Sequence, residues 1–307
     1  MKSAIKKKSN TPGIWQIIRK NKTLYLFMLP FMLVFFIFTV WPVVFSFLLS
    51  FTSFNVFETP RFVGWDNYTR LFVGDEVFGI ALNNTFVFAV VTGPVSYVLS
   101  LFFAWVINDL PKRIRSLMTL VFYIPSISGN IFAIWLIVFD GDIYGYLNSF
   151  LMRAGFIDDP IQWLKDPRFM MLVVIIVQLW ISLGVSFLAM RAGFNTIDRQ
   201  YYEAAAIDGI RNRYQELWHI TLPMMKPHLM LSAVLSITAA FGSFQVASTM
   251  TGFPSVNYAT HTIMHHMIDY GYLRFERGYA AAIATLLFAV SFLTNQLFQK
   301  LLGKVGK

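Results

Sequence analysis

The chain has no cysteine and few charges, and within its long apolar runs it has no ionised side chain at all. Without cysteine there are no disulfides, thiolate nucleophiles or thiolate-held metals. Charged residues make up 13% of the 307 residues and hydrophobic ones 56%, whereas a soluble domain carries about a quarter charged. That much apolar surface does not fit in one water-facing core, so lipid must solvate part of it. The phosphate-loop pattern Gly-x-x-x-x-Gly-Lys-Ser/Thr is also absent, which leaves no sequence signal for nucleotide binding by this chain.

What is present is a series of six apolar runs, at 24–51, 85–107, 117–139, 169–190, 228–250 and 278–298. Each meets the length of about 20 residues that a helix needs to cross the hydrocarbon layer. The predicted fold class is therefore an all-α integral membrane protein with six transmembrane helices. Charges between the runs alternate. Of the 25 Lys and Arg, 18 fall on one side of the membrane, while 11 of the 16 acids fall on the other. The positive-inside rule then puts both termini and the loops around 112 and 191–227 in the cytoplasm. The net charge of +9 reads as a topology signal and not as nucleic-acid binding. Lys6, Lys7, Lys8, Arg19 and Lys20, with Trp15, Ile17 and Ile18, make residues 1–23 a basic interfacial segment drawn to anionic lipid. The first run is too long for the apolar core of a cleavable signal peptide.

Pro42, Pro94 and Pro125 are expected to bend or break their spans, most clearly at Gly93-Pro94 and at 125–130. Small residues such as Ala239, Ala240 and Gly242 read as close-packing devices. In the loop 140–168, apolar positions at Ile143, Leu147, Phe150 and Leu151 fit a short amphipathic helix. His261, His265, His266 and Asp269 sit in an outside loop with a short helix. No second acid or Cys cluster supports a metal there, so no metal site is assigned.

The cytoplasmic loop 191–227 reads as two helices. The first starts near Asp198, carries Glu203-Ala204-Ala205-Ala206, and stops at Gly209, the usual left-handed terminator. The second starts at Asn212, with Gln215 completing a capping box, and ends at Leu222-Pro223. Asp208 is unfavourable at a helix C-terminus, so a partner is expected in Arg211 or Arg213. An ordinary solvated connector is the alternative. A DNA-reading role is excluded because the bilayer pins the loop.

Glu203-Ala204-Ala205, Asp208-Gly209, Ile220-x-Leu222-Pro223 and Pro227 together resemble the EAA loop of binding-protein-dependent ABC importer permeases. Asn83-Asn84-Thr85, Trp180, Gly278-Tyr279-Ala280-Ala281-Ala282 and the stretch Phe62-Val63-Gly64-Trp65-Asp66-Asn67-Tyr68 resemble the MalF/UgpA-like carbohydrate-uptake branch. Two departures stand out: Gly252-Phe253-Pro254 where the family often has Gly-Gly-Pro, and Ile210 where alanine is common. The resemblance implies a type I ABC importer (MetI/MalF-like) fold, with residues 24–307 as one permease domain in the bacterial cytoplasmic membrane. It implies that Glu203, Ala204, Ala205, Asp208 and Gly209 couple to two ATP-binding subunits, which bind the ATP and Mg; no cofactor is expected in this chain. A MalG-like second permease and an extracytoplasmic solute-binding protein are the other implied partners.

Sugar recognition calls for hydroxyl, amide and aromatic groups, and spans four and five supply them at Gln178, Trp180, Ser182, Ser186, Thr238, Ser243, Gln245 and Ser248. Ser and Thr in membrane helices also commonly bond their own backbone. Gln178, Ile181, Ser182, Val185 and Ser243 match positions that contact ligand in the related maltose permease, so the resemblance implies a substrate role for them. A neutral sugar is preferred as cargo. A glycerol-phosphate type of solute or a peptide stays open, although phosphate would favour pore cations, which are absent. An ion-coupled secondary transporter is less well supported, because it normally needs intramembrane acids or ion sites at broken helices. A membrane-embedded enzyme would want a denser cluster of His or acids at one membrane face.

Overall fold

In a computed structural model, residues 19–303 are described; the basic cluster at 6–8 and Trp15, Ile17 and Ile18 lie outside the described residues. Among the described residues every regular element is helical, apart from one isolated bridge between Thr52 and Phe62. Hydrocarbon offers no hydrogen bonds to a crossing backbone, and a helix pairs those groups within one segment. Five helices are long and apolar enough to cross a bilayer: Lys22–Leu49, Glu76–Asn108, Pro167–Asn195, Lys226–Thr251 and Arg277–Leu302. Lys112–Ile127 and Ile131–Val138 form a further pair bent by 92°. In chain order these are spans one to six, the bent pair being span three, and each predicted run falls on one of them.

The departures from the predicted limits have local causes. Span two begins at Glu76, well before the predicted start at Thr85, because the Asp75 carboxylate caps the helix by accepting from the Phe78 amide at 3.0 Å. Pro94 does not break this helix. The hydroxyls on either side of it, Thr92 and Ser96, donate to the carbonyls of Phe88 and Gly93, both before the proline, and the helix runs on to Asn108. Pro42 follows a wide π turn at Phe36–Val40. Span three ends its first helix just past Pro125, and the chain then turns at Gly129, with φ +57°. Span five has a break that was not expected. Gly242, read from sequence as a packing residue, ends the helix Lys226–Phe241, and a new helix starts at Gln245.

Span four is the most enclosed of the spans, and spans two, three and five surround it. Close approach needs small residues there: a Cβ on Gly184 would sit 2.0 Å from Ser126 Oγ of span three. The hydroxyls of Ser186 and Ser236 lie 2.9 Å apart, and Ser232 donates to the Ser186 carbonyl, which joins spans four and five inside the apolar core. No residue in the apolar window of span one is buried by the rest of the chain.

At one end of the bundle the loops are pinned by side-chain amides. Asn67 donates to the carbonyls of Ser50 and Thr52. In the predicted amphipathic loop, whose helix spans Tyr146–Arg153, the buried Asn148 bonds the backbone of Asp140, Asp142 and Ile161 and the Trp163 indole. Gly278 lets span six touch the loop after span one. Its amide donates to Phe54 O at 2.8 Å, and a Cβ would meet the Thr52 carbonyl oxygen at 2.0 Å. Gly278→Ala is therefore expected to cost about 1–3 kcal/mol, while Gly79→Ala, with open space around it, should cost little. Thermal unfolding of both variants in one detergent checks this; equal midpoints would contradict the contact.

Candidate functional site

The breaks in spans three and five meet at the surface of the bundle. Beyond Gly129, Asn130 Oδ1 accepts from the side-chain Nε2 of Gln245, the first helical residue after the break in span five. One turn of structure away, Ser243 Oγ donates to Gln178 Oε1 of span four at 2.9 Å. Asn130 and Gln245 are exposed on the bundle surface, whereas Gln178 is only 6% exposed. Carboxamides facing hydrocarbon would be costly, so this surface fits a water-filled path or a partner. The Trp135 indole N–H and the Ser248 hydroxyl nearby are buried with no partner among the described residues.

The structure brings together two of the residues matched to the sugar site, Gln178 and Ser243. Ser182 bonds its own helix through the Leu179 carbonyl, Val185 is exposed, and Ile181 packs against the core cluster that includes Val177 and Val246. Asn130 was not among the substrate candidates; the signal for it was an amide directly after a helix-breaking glycine. A cavity of about 630 Å³ between spans two, five and six is lined by apolar side chains such as Leu82, Phe86, Val98 and Phe298. It has the wrong chemistry for a hydroxyl-rich solute.

At the opposite end lies the loop between spans four and five. Its first helix is Arg199–Ile207, with the Asp198 carboxylate accepting from the Gln200 amide. Gly209, at φ +94°, closes the helix: its own amide reaches Ala206 O and the Ile210 amide reaches Ala205 O at 3.0 Å. Ala205 is buried; Tyr201, Ala204 and Ile207, at helical spacing, form an exposed apolar edge, with Ile207 88% exposed. Glu203 pairs with Arg199 at 3.1 Å on the same helix. The second helix, at 213–224, is capped by Asn212 as predicted. Gln215, however, accepts from the Arg211 amide at 3.0 Å and not from that of Asn212. The expected Arg partner for Asp208 is not found: Asp208 makes no ion pair among the described residues, and Arg213 turns away to Asp109 at 2.7 Å.

A third cluster sits at the capped start of span two. The Asp75 carboxylate accepts from Tyr279 Oη at 2.7 Å and pairs with His266 Nε2 at 3.0 Å, joining the first residues of spans two and six to the helix Ile263–Ile268. With Nε2 donating, His266 Nδ1 is left to accept, and His261 Nε2 lies 3.2 Å from it. Asn84 donates to the carbonyls of Tyr258 and His261, and Thr85 Oγ1 accepts from the Ile263 amide. These contacts give the Asn83-Asn84-Thr85 motif its structural role. Burial lowers the pKa of His261 to about 4 and that of His265 to about 3, and it outweighs Asp75 in lowering His266. Burial pushes the Asp75 carboxyl up, but the Tyr279 hydroxyl, the Phe78 amide and His266 outweigh it and hold it below the usual range.

A helix bundle with two facing helix breaks joined by carboxamides, and an exposed loop helix at its other end, suits a membrane-embedded transport subunit. The family described as "Binding-protein-dependent transport system inner membrane component" matches residues 9–305, and the chain belongs to it. The chain is 34% identical to "Probable ABC transporter permease protein YesP" of Bacillus subtilis (strain 168), over 92% of this chain and 91% of YesP. It is 29% identical to "Arabinooligosaccharides transport system permease protein AraP" of the same organism, over 92% and 90%. The fold matches a chain of a crystallised bacterial ABC transporter involved in importing the acidic polysaccharide alginate. That match has a TM-score of 0.76 at 22% identity and covers 95% of this chain and 99% of that one. The six helices thus have the type I ABC importer arrangement.

The histidine cluster makes stability pH-dependent. An imidazole whose pKa falls on folding takes up a proton more readily in the unfolded chain. Its contribution is therefore complete above the ordinary value of 6.5 and is lost as pH falls towards about 4 for His261 and about 3 for His265. Asp75, also held low, loses its contribution in the same direction. Hydrogen exchange at 258–270 is expected to speed up selectively between pH 6.5 and 4, after correction for intrinsic rates. His265→Gln should flatten that dependence; an unchanged profile would contradict it.

Proposed function

We propose that this chain forms half of the translocation pore of an ATP-driven importer for an oligosaccharide or other neutral sugar. The observation that carries the cargo reading is the meeting of two broken helices, where Asn130, Gln178, Ser243 and Gln245 gather amides and a hydroxyl without an ionisable side chain. Sugar hydroxyls exchange readily with such groups, whereas a phosphate would call for a cation. The similarity to AraP supports an oligosaccharide, since arabinooligosaccharides are what that relative's name assigns to it. Gln178, Ser182, Val185 and Ser243 line the path, with Asn130 and Gln245 added; Ile181 stands behind them.

The exposed edge of Tyr201, Ala204 and Ile207 is the surface that docks on an ATP-binding subunit, with Glu203, Ala205, Asp208 and Gly209 setting its shape. Two such subunits bind ATP and Mg, because the phosphate-loop sequence is missing here. A second permease completes the pore, and a solute-binding protein delivers cargo to the end marked by Asp75. The excess of Lys and Arg in alternate loops supports a cytoplasmic position for the docking helix and both termini. ATP then biases a two-state rigid-body equilibrium of the spans.

Glu203→Lys and Gly209→Pro should abolish uptake while leaving membrane insertion intact, because proline cannot adopt the φ of +94° at 209. Normal uptake by both would remove the coupling role. Gln178→Ala should raise the half-saturating substrate concentration by about two- to tenfold, the range of one hydrogen bond. An unchanged value would remove Gln178 from the path.

A further inference from the structure

The loop that docks on the ATPase is joined by the chain itself only to spans four and five. We propose that Arg213 is the joint through which this loop also drives span two, a positioning role that rests on the importer reading above. Arg213 opens the second loop helix, yet its side chain leaves that loop altogether. Its Nε lies 2.7 Å from Asp109 Oδ2, its Nη2 donates to the Trp105 carbonyl at 3.2 Å, and its guanidinium stands 4.5 Å from the Trp105 ring centroid. The neighbouring Tyr214 ring packs against the same Trp105 at 5.3 Å.

The end of span two suits a cation. The helix finishes at Asn108, so Trp105 belongs to its last turn, where carbonyls lack intrahelical partners and the dipole favours positive charge. Arginine alone among the side chains offers a planar fork for the carboxylate and carbonyl together with a flat face for the indole. The Arg213 and Asp109 side chains are each close to half exposed, so the ion pair by itself would be weak. The convergence of three contacts on residues 105–109 is what fixes the register.

The route begins at the docking helix. Tyr202 Oη lies 3.0 Å from Thr221 Oγ1, and Thr221 in turn bonds the Glu216 carbonyl, so the two loop helices are tied together. Force on Arg199–Ile207 therefore passes through Tyr202 to the second helix, and through Arg213 to the end of span two. Only Leu110 and Pro111 separate Asp109 from the helix of span three, whose break carries Asn130. Arg191 of span four holds the same region through Asn108 at 3.3 Å. Arg213 thus adds a connection from the loop to the broken span that the backbone does not provide.

The test uses the full complex in proteoliposomes, with the second permease, the ATP-binding subunits and the solute-binding protein. Arg213→Ala and Asp109→Ala should co-purify with the ATPases and keep basal hydrolysis. Coupling is reciprocal and commonly amounts to about 5- to 150-fold, so stimulation of hydrolysis by loaded binding protein should fall at least about fivefold. Sugar carried per ATP should fall with it. Arg213→Lys, which keeps the charge and loses the fork, should recover only part of the stimulation. Full stimulation in Arg213→Ala, or loss of the ATPases from that complex, would overturn the joint. If the unsubstituted complex responds to binding protein but carries no saccharide, the cargo reading fails, and the joint is still decided by the stimulation in Arg213→Ala.

Discussion

A backbone in hydrocarbon must satisfy its own hydrogen-bonding groups, and every other feature of this chain is arranged around that constraint. It makes the spans helical and leaves their lipid-facing surfaces apolar. It also makes an interruption informative. The two breaks, at 128–130 and 242–244, are placed opposite one another, and their carboxamides bond across the gap. Non-helical backbone within a span is tolerated where protein or a watery cavity surrounds it, and the proposed transport path would supply that setting.

The two ends of the bundle are built differently. At the Asp75 end, buried groups cross-link the starts of spans two and six and the histidine helix through short hydrogen bonds. At the end that holds the loop between spans four and five, the links are fewer, half-exposed or part-buried, and mixed in kind: an ion pair, a guanidinium on an indole, and a hydroxyl pair. A rigid end beside a lightly joined one suits a subunit that receives cargo at one face and a mechanical stroke at the other. Span one, unburied by its own chain, is left to lipid or to another subunit.

Much of this was legible in the sequence where the signal is local. Apolar length set the spans, Gly209 and Asn212 marked the loop helices, and the spacing from Glu203 to Pro227 identified the family. The features that were not legible depend on distant partners or on residues with two uses. Gly242 looks the same whether it packs a helix or ends one. Pro94 looks like a breaker, yet the helix continues through it. Arg213 has an acid close by in sequence at Asp208, but the folded loop turns it to Asp109 and the carbonyl of Trp105. Asp75, His261, His266 and Tyr279 are spread over some 200 positions, and only the packed bundle gathers them.

The central claim is that the two helix breaks face a water-accessible path. Because the chain has no cysteine, a single introduced thiol is the only one it carries, and its labelling is read on this chain after the subunits are separated. Asn130→Cys and Gln245→Cys, each alone in the assembled complex in membranes, should react with a charged, membrane-impermeant maleimide. The rates should change between the nucleotide-free and ATP-bound states. Phe38→Cys, on the exposed apolar face of span one, is the unreactive reference. Rates at 130 and 245 as low as at 38, in both states, would contradict the account.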